Sequence, residues 1–439
     1  MFDYLAAPAV TRRIGALIAA AVALLFSLPA AAVDAPLTLA EAQRVAVARS
    51  RALAAQDAAA DAAREMAVAA GQLPDPIATV GVNNLPINGP DAWSLTKDFM
   101  TMTSVGVMQE FTREEKREAR AERFQREAEK ALADKAAGVA AIQRDTALAW
   151  LDRYYADAML AVVAEQSRQA RAEVEAAESA YRSGRGGLAD VLAVRSALIG
   201  LDDRASELRR RAGTARIALA RWVGNAADAP LAGIPPIDAL RLDPRTLDAD
   251  VEQHPQLAAL AKQEALAAAE VRAAQANKKA DWSLSLMYSQ RGPSYSNMIS
   301  VNLSVPLQWD QKNRQDRELA AKLAMLDQAR AEREDMLRAR TAELHAMIAE
   351  WENDRERSGR YERELVPLAA ERTQATLAAY RGAKASLTDV LLSRRNEIDV
   401  RLQALQLQMD TARLWAQLNF VVPEGDAAAS MSMQKRELP

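Results

Sequence analysis

The 439-residue chain contains no cysteine. Disulfides, thiolate zinc sites and a lipid anchor on an N-terminal cysteine are therefore excluded. Histidine is nearly as scarce. His254 and His345 are far apart, with no second ligand at zinc spacing and no nucleophile beside them. The chain also lacks a phosphate loop, a nucleophile elbow and paired catalytic carboxylates, so neither an enzyme nor a cofactor is expected. Charge of one sign is missing too. The 56 Lys and Arg against 59 Asp and Glu, net −3, leave no electrostatic footprint for nucleic acid. They interleave instead, as in Thr112-Arg113-Glu114-Glu115-Lys116-Arg117-Glu118, the pattern of a solvated helix face. Aromatic residues are only 5% of a chain that is half hydrophobic, and alanine carries much of the apolar share. Alanine-rich helices bury little area each and pack closely, which suits long bundles better than a thick core.

Long hydrophobic runs are absent beyond the N-terminus. Arg12-Arg13 precedes an apolar run from Ile14 to Leu28, then Pro29-Ala30-Ala31-Ala32. The run is shorter than the roughly 20 residues a spanning helix needs. It reads as a secretory signal peptide over 1–32, with cleavage expected after Ala32. No later run would cross a membrane as a helix, so renewed contact with lipid would require strands.

What the chain does contain, it contains twice. Tyr181-Arg182-Ser183-Gly184 runs on to Leu188-Ala189-Asp190-Val191-Leu192. At a constant offset of 199 residues, Tyr380-Arg381-Gly382-Ala383 runs on to Leu387-Thr388-Asp389-Val390-Leu391. Such self-similarity means one duplicated structural unit. The first repeat, 33–224, reads as a helix over 39–72, strands over 76–84 and 101–111, a long helix over 113–181 and a helix over 188–223. A Pro-rich connector over 225–248 follows. The second repeat, 249–420, reads as a helix over 249–279, strands over 281–289 and 299–308, a long helix over 312–380 and a helix over 386–420. A polar tail covers 421–439.

The strands alternate strictly. In Trp282-Ser283-Leu284-Ser285-Leu286 the even positions are apolar, and in Ile299-Ser300-Val301-Asn302-Leu303-Ser304-Val305 the odd ones are. One apolar and one polar face at about 9–11 residues suit a tilted strand crossing a bilayer. Strands cross lipid only in a closed barrel, and four cannot close one of useful bore, so three copies giving twelve strands are expected. The plainer alternative is a pair of soluble hairpins capping a bundle. The long helices favour the barrel: nearly 70 residues reach roughly 100 Å. In each repeat the two shorter helices, stacked end to end, match the long one. Heptad spacing at Leu148, Tyr155 and Val162 supports coiled-coil-like packing between columns.

This duplicated plan, with Tyr-Arg-x-Gly/Ala and Leu-x-Asp-Val-Leu at each turn, resembles the TolC-type outer-membrane factors over residues 38–420. The loop Leu85–Ala92, the run Asp98–Met102 and Val107–Phe111 look like the heavy-metal cation efflux (CzcC/CusC-like) branch. The resemblance implies an α+β membrane protein: a homotrimer whose 12-stranded β-barrel, set in outer-membrane lipid, continues as a 12-column periplasmic α-barrel. It implies a passive export duct, docked by a periplasmic adaptor (membrane fusion) protein and served by an inner-membrane resistance-nodulation-division pump. Heavy-metal cations are its first cargo and other small molecules the second. A soluble periplasmic coiled-coil scaffold or adaptor is the reading from another class.

The resemblance also carries site residues. Tyr181, Gly184, Gly187, Leu188, Val191 and Leu192, with Tyr380, Gly382, Leu387, Val390 and Leu391, match the adaptor-docking tip. Asp190 and Asp389 match the aspartates of a closed entrance, with Arg182 and Arg381 available to pair with them. A threefold ring of aspartates would gather cations, whereas the plainer role for both is capping a helix N-terminus. Ala385 and Leu392 depart from the tip lock of well-known relatives. Met100 and Met102 offer thioethers to a soft cation, though methionine is also an ordinary gap-filler.

Overall fold

The computed structural model describes residues 36–241, 251 and 254–421. The expected signal peptide, the C-terminal tail beyond 421, and the stretch around 242–253 apart from residue 251 lie outside them. In chain order the elements are α1 (Leu39–Arg49), α2 (Arg51–Ala70), β1 (Ile77–Asn83), β2 (Met102–Phe111), α3 (Glu114–Arg182) and α4 (Leu188–Val223). After a 3₁₀ turn (Gly224–Asp228) come α5 (Pro255–Ala276), β3 (Trp282–Gln290), β4 (Met298–Ser304), α6 (Gln315–Arg360), a π turn (Tyr361–Leu365), α7 (Val366–Arg381) and α8 (Leu387–Asn419).

The four strands form one antiparallel sheet in the order β1-β2-β3-β4. The two hairpins of the sequence reading are thus joined, since β2 of the first repeat pairs with β3 of the second from Thr103↔Gln290 to Phe111↔Trp282. Register aligns the alternation of every strand. Val80, Val105, Tyr288 and Ile299 share one row, and Val107, Leu286 and Val301 the next. All seven of these side chains are exposed. The opposite face carries Ser104, Ser289, Ser285 and Asn302, linked by Ser104 Oγ to Ser289 Oγ at 2.9 Å and Asn302 Nδ2–H to Ser285 Oγ at 3.3 Å. Each of β1 and β4 keeps one edge unpaired among the described residues. Both outer strands are also shorter than the sequence pattern suggested. β4 stops at Ser304 because Pro306 has no N–H to give the ladder.

α3 is 69 residues long, about 100 Å at 1.5 Å per residue. Near the sheet it packs against α2 and α5, and near its far end against α4 and α8. Two helices expected to be continuous are broken. Ser50 turns extended (φ −68°, ψ 112°) and its hydroxyl accepts from Leu53 N–H, so α1 ends and α2 is capped at one residue. The second long helix widens into the π turn at Tyr361–Leu365, directly before Pro367. A proline inside a helix lacks a donor and its ring collides with the carbonyl four residues back, and a π turn relieves both.

Large buried side chains gather halfway along α3. Trp150 and Leu151 are fully buried, with Leu219, Leu344, Trp351, Trp415, Leu418 and Phe420 around them. Two indoles there hold the connector as a belt, Trp351 Nε1–H donating to Ile237 O at 3.2 Å and Trp415 Nε1–H to Ala239 O at 3.0 Å. Trp150 Nε1–H donates at 3.0 Å to the carbonyl of Leu37, which bridges to Leu231 of the connector. The guanidinium of Arg153 donates to the carbonyls of Ala227 and Ala229. Elsewhere the columns pack largely on alanine, such as Ala60, Ala63, Ala128 and Ala170.

The elbow between sheet and α3 rests on a nearly buried ion pair. Lys116 Nζ lies 2.7 Å from Asp281 Oδ2, and Arg113 N–H donates to Asp281 Oδ1 at 3.0 Å. Burial works against the Asp281 charge, but Lys116 and the Arg113 N–H outweigh it and hold the carboxyl below its usual range. Lys116→Ala leaves that carboxylate unpaired and is expected to cost about 3 kcal/mol in stability. Denaturant unfolding in detergent measures it, and a loss below about 0.5 kcal/mol would mean that water already reaches the pair.

Candidate functional site

Both repeats turn at the end of the helical columns remote from the sheet, and they turn in the same way. At the end of α3, Arg185 N–H donates to Ala180 O and Gly184 N–H to Tyr181 O. At the end of α7, Lys384 N–H donates to Ala379 O and Ala383 N–H to Tyr380 O. This is the Schellman pattern, which closes the last helical carbonyls around one left-handed residue. That residue is Gly184 (φ +70°) in the first repeat and Ala383 (φ +58°) in the second. Gly382, which the sequence reading placed at the tip, sits one position earlier with φ −85°.

The returning helices start at equivalent residues, Gly187 and Ser386. Asp190 Oδ2 accepts from Gly187 N–H at 3.1 Å. Gly187 has no side chain with which to return the bond, so only half of a capping box forms there. The second turn has the whole box. Asp389 Oδ2 accepts from Ser386 N–H at 2.9 Å and from the Ser386 hydroxyl at 2.7 Å, and Ser386 Oγ accepts from Asp389 N–H. These two Ser386 bonds hold the Asp389 carboxyl below its usual range. Arg182 and Arg381 are exposed and make no ion pair with either aspartate. The aspartates are held by their own helix ends.

Val191 and Val390 are buried beneath the turns, whereas Tyr181, Leu188, Leu192 and Tyr380 are exposed. Leu387 and Leu391 are partly buried. Leu391 and Leu392 line a groove of about 680 Å3 with Ala193, Ser196 and Gln166, so the two hairpins lie side by side. What joins them had no signature in the sequence. Arg394 on α8 meets Glu173 on α3 at 2.5 Å, and Arg204 on α4 meets Asp399 on α8 at 2.5 Å. Burial pushes the Glu173 carboxyl up against the pull of Arg394, so the pair holds its charges against a desolvation cost. Met102 lies at the start of β2 opposite Asn83, on the polar face, while Met100 is an exposed loop residue whose N–H donates to Asp98. Among the described residues no cluster of three His, Cys, Asp or Glu side chains is placed to hold a metal, and no helix is long and apolar enough to cross a membrane.

This arrangement of sheet, columns and paired turns has close structural counterparts. The outer-membrane channel OprN superposes with a TM-score of 0.72 at 17% identity, covering 89% of this chain and 90% of that one. CusC, solved in a study of folding and transmembrane channel formation, gives 0.72 at 15% identity over 87% and 92%. The open-state MtrE outer membrane channel of Neisseria gonorrhoeae gives 0.67 at 17% identity over 88% and 89%. The chain has the TolC-type outer-membrane channel fold. No protein-family model matches it, and no curated protein does.

Two outcomes test the turns. A left-handed alanine costs about 1 kcal/mol that glycine avoids, so Ala383→Gly is expected to slow hydrogen exchange at the second turn and Gly184→Ala to speed it at the first. Equal exchange in both would contradict the shared geometry. For Asp389 the folded pKa is lowered, so its contribution is present above the ordinary aspartate pKa and lost as pH falls through the folded value. Amide protection in the first turn of α8 is therefore expected to hold at pH 5 and fade below the ordinary aspartate range, a dependence that Asp389→Asn removes.

Proposed function

We propose that the chain is the outer-membrane channel of a tripartite efflux system, a passive duct that catalyses nothing itself. The observation that carries this reading is the sheet: one continuous apolar face, one polar face and two open edges, set on helical columns about 100 Å long. A bilayer satisfies the apolar face only if the edges are paired, and copies of the same chain supply that pairing. Three copies give twelve strands, within the known range of closed barrels. The fold it shares with OprN, CusC and MtrE supports the same reading. A soluble scaffold has no use for exposed rows of Val, Leu, Ile and Tyr on a flat sheet.

On this reading the sheet lies in the outer membrane and the columns cross the periplasm. The paired turns meet a periplasmic adaptor, and an inner-membrane pump of the resistance-nodulation-division type supplies the energy. Heavy-metal cations are a cargo that the β1–β2 loop sequence suggests, and organic solutes fit the same duct. The closed state is held by the clasps Arg394–Glu173 and Arg204–Asp399, with the capped turns around Asp190 and Asp389 forming the entrance. Opening separates the hairpins and breaks both clasps.

Single-channel recording tests this. The purified chain is expected to form a trimer with discrete conductance. Arg394→Ala with Arg204→Ala removes about 1.4 kcal/mol of closure, which raises open probability about tenfold. A monomer that stays silent in bilayers would overturn the duct, and a conducting trimer indifferent to the double substitution would overturn the clasp.

A further inference from the structure

The aspartates at the entrance are outnumbered. The first turn carries Arg182 and Arg185 against Asp190, and the second Arg381 and Lys384 against Asp389. All four cationic side chains are exposed, and none has an ion-pair partner among the described residues. Arg185 Nε–H is spent on the Ser183 hydroxyl at 3.1 Å, which neutralises nothing. Further up the hairpins Glu178 pairs with Arg195 and Glu173 with Arg394. The exposed Glu175 is offset in number by the exposed Arg395, neither of which has an ion pair among the described residues. Helix dipoles cancel as well, because each turn joins a helix C-terminus to an antiparallel N-terminus. Formal charge therefore decides the sign, and it is two positive charges per chain.

We infer that the entrance of the duct is electropositive and admits anionic or zwitterionic solutes in preference to free metal cations. The inference rests on the duct reading, under which three copies bring six net positive charges to one opening. Charge rings at a constriction select by sign, and Arg and Lys rings select anions. At physiological ionic strength the screening length is about 8 Å, comparable with the dimensions of a narrow entrance, so the ring is not screened away. Six charges about 10 Å from the axis shift the local concentration of a monovalent ion by about threefold, upward for an anion and downward for a cation. A metal would pass this entrance more readily as a complex that carries no net positive charge than as the free cation. The sequence motif points the other way, because it displays the two aspartates. The structure places those carboxylates on helix ends and leaves the basic side chains free.

Reversal potential across a KCl gradient at pH 7 reads the sign directly on the purified full chain in planar bilayers. The wild-type channel is expected to favour chloride over potassium by about tenfold, the two roughly threefold shifts combined. Arg381→Glu with Lys384→Glu converts two positive charges per chain to two negative, and is expected to reverse the preference. Both positions are solvent-exposed, and trimer mass checks that the variant assembles. Pyrophosphate added on the turn side is expected to block the wild type and not the variant. A potassium-selective wild type would overturn the inference while leaving a conducting duct. So would a reversal potential that the charge swap does not move. Absence of conductance in wild type and variant would overturn the duct and the inference together.

Discussion

The backbone hydrogen bonds left open on the outer edges of β1 and β4 constrain everything else in this molecule. An antiparallel sheet of four strands offers a row of N–H and C=O groups on each side, and its apolar face is unsuited to water. In lipid, where the channel reading sets the sheet, an unsatisfied peptide group costs several kcal/mol, so that reading requires neighbours of the same kind. The duplication within the chain follows from that need. Each repeat supplies two strands, and the β2–β3 pairing makes the two repeats one continuous wall. The same duplication then gives each chain two helical hairpins whose turns finish at one end.

The columns obey a different economy. With few aromatic residues, most of their length packs through alanine, which permits close approach but little burial per residue. Large side chains are concentrated where the connector crosses, and there the indoles of Trp150, Trp351 and Trp415 donate to backbone carbonyls of the connector and of Leu37 beside it. The structure is thus stiff at the sheet and the belt, and lightly fastened at the turns. There ion pairs partly open to water join the hairpins, beside a small apolar cluster of Met159, Val163, Leu208, Ile398 and Leu402.

Much of this was legible in the residues. The 199-residue offset predicts matching turns, and the Schellman bonds at Gly184 and Ala383 match atom for atom. Alternation in 282–286 and 299–305 assigns both faces of the sheet correctly, because period two is set by the pleat itself. The breaks at Ser50 and Tyr361 were not legible. A serine inside a helical pattern is ordinary, and a π turn is one compensation among several for a proline such as Pro367. The clasps were invisible for a simpler reason: Glu173 and Arg394 are both unexceptional on their own helices, and only tertiary packing brings them together. Sequence spacing likewise made Asp190 and Asp389 conspicuous, with Arg182 and Arg381 as their partners, while Arg185 and Lys384 were passed over.

The absence of cysteine makes the central claim directly measurable. Single cysteines placed in β1 at Thr79, Val80 or Gly81 and in β4 at Ser300 or Val301, combined pairwise and oxidised in outer membranes, report whether the open edges meet between copies. Pairing of β1 with the β4 of a neighbouring chain predicts that at least one combination yields covalent dimers and trimers, and that the corresponding single cysteines do not. Efficient intramolecular closure, or no bond in any combination, would contradict a barrel shared among copies.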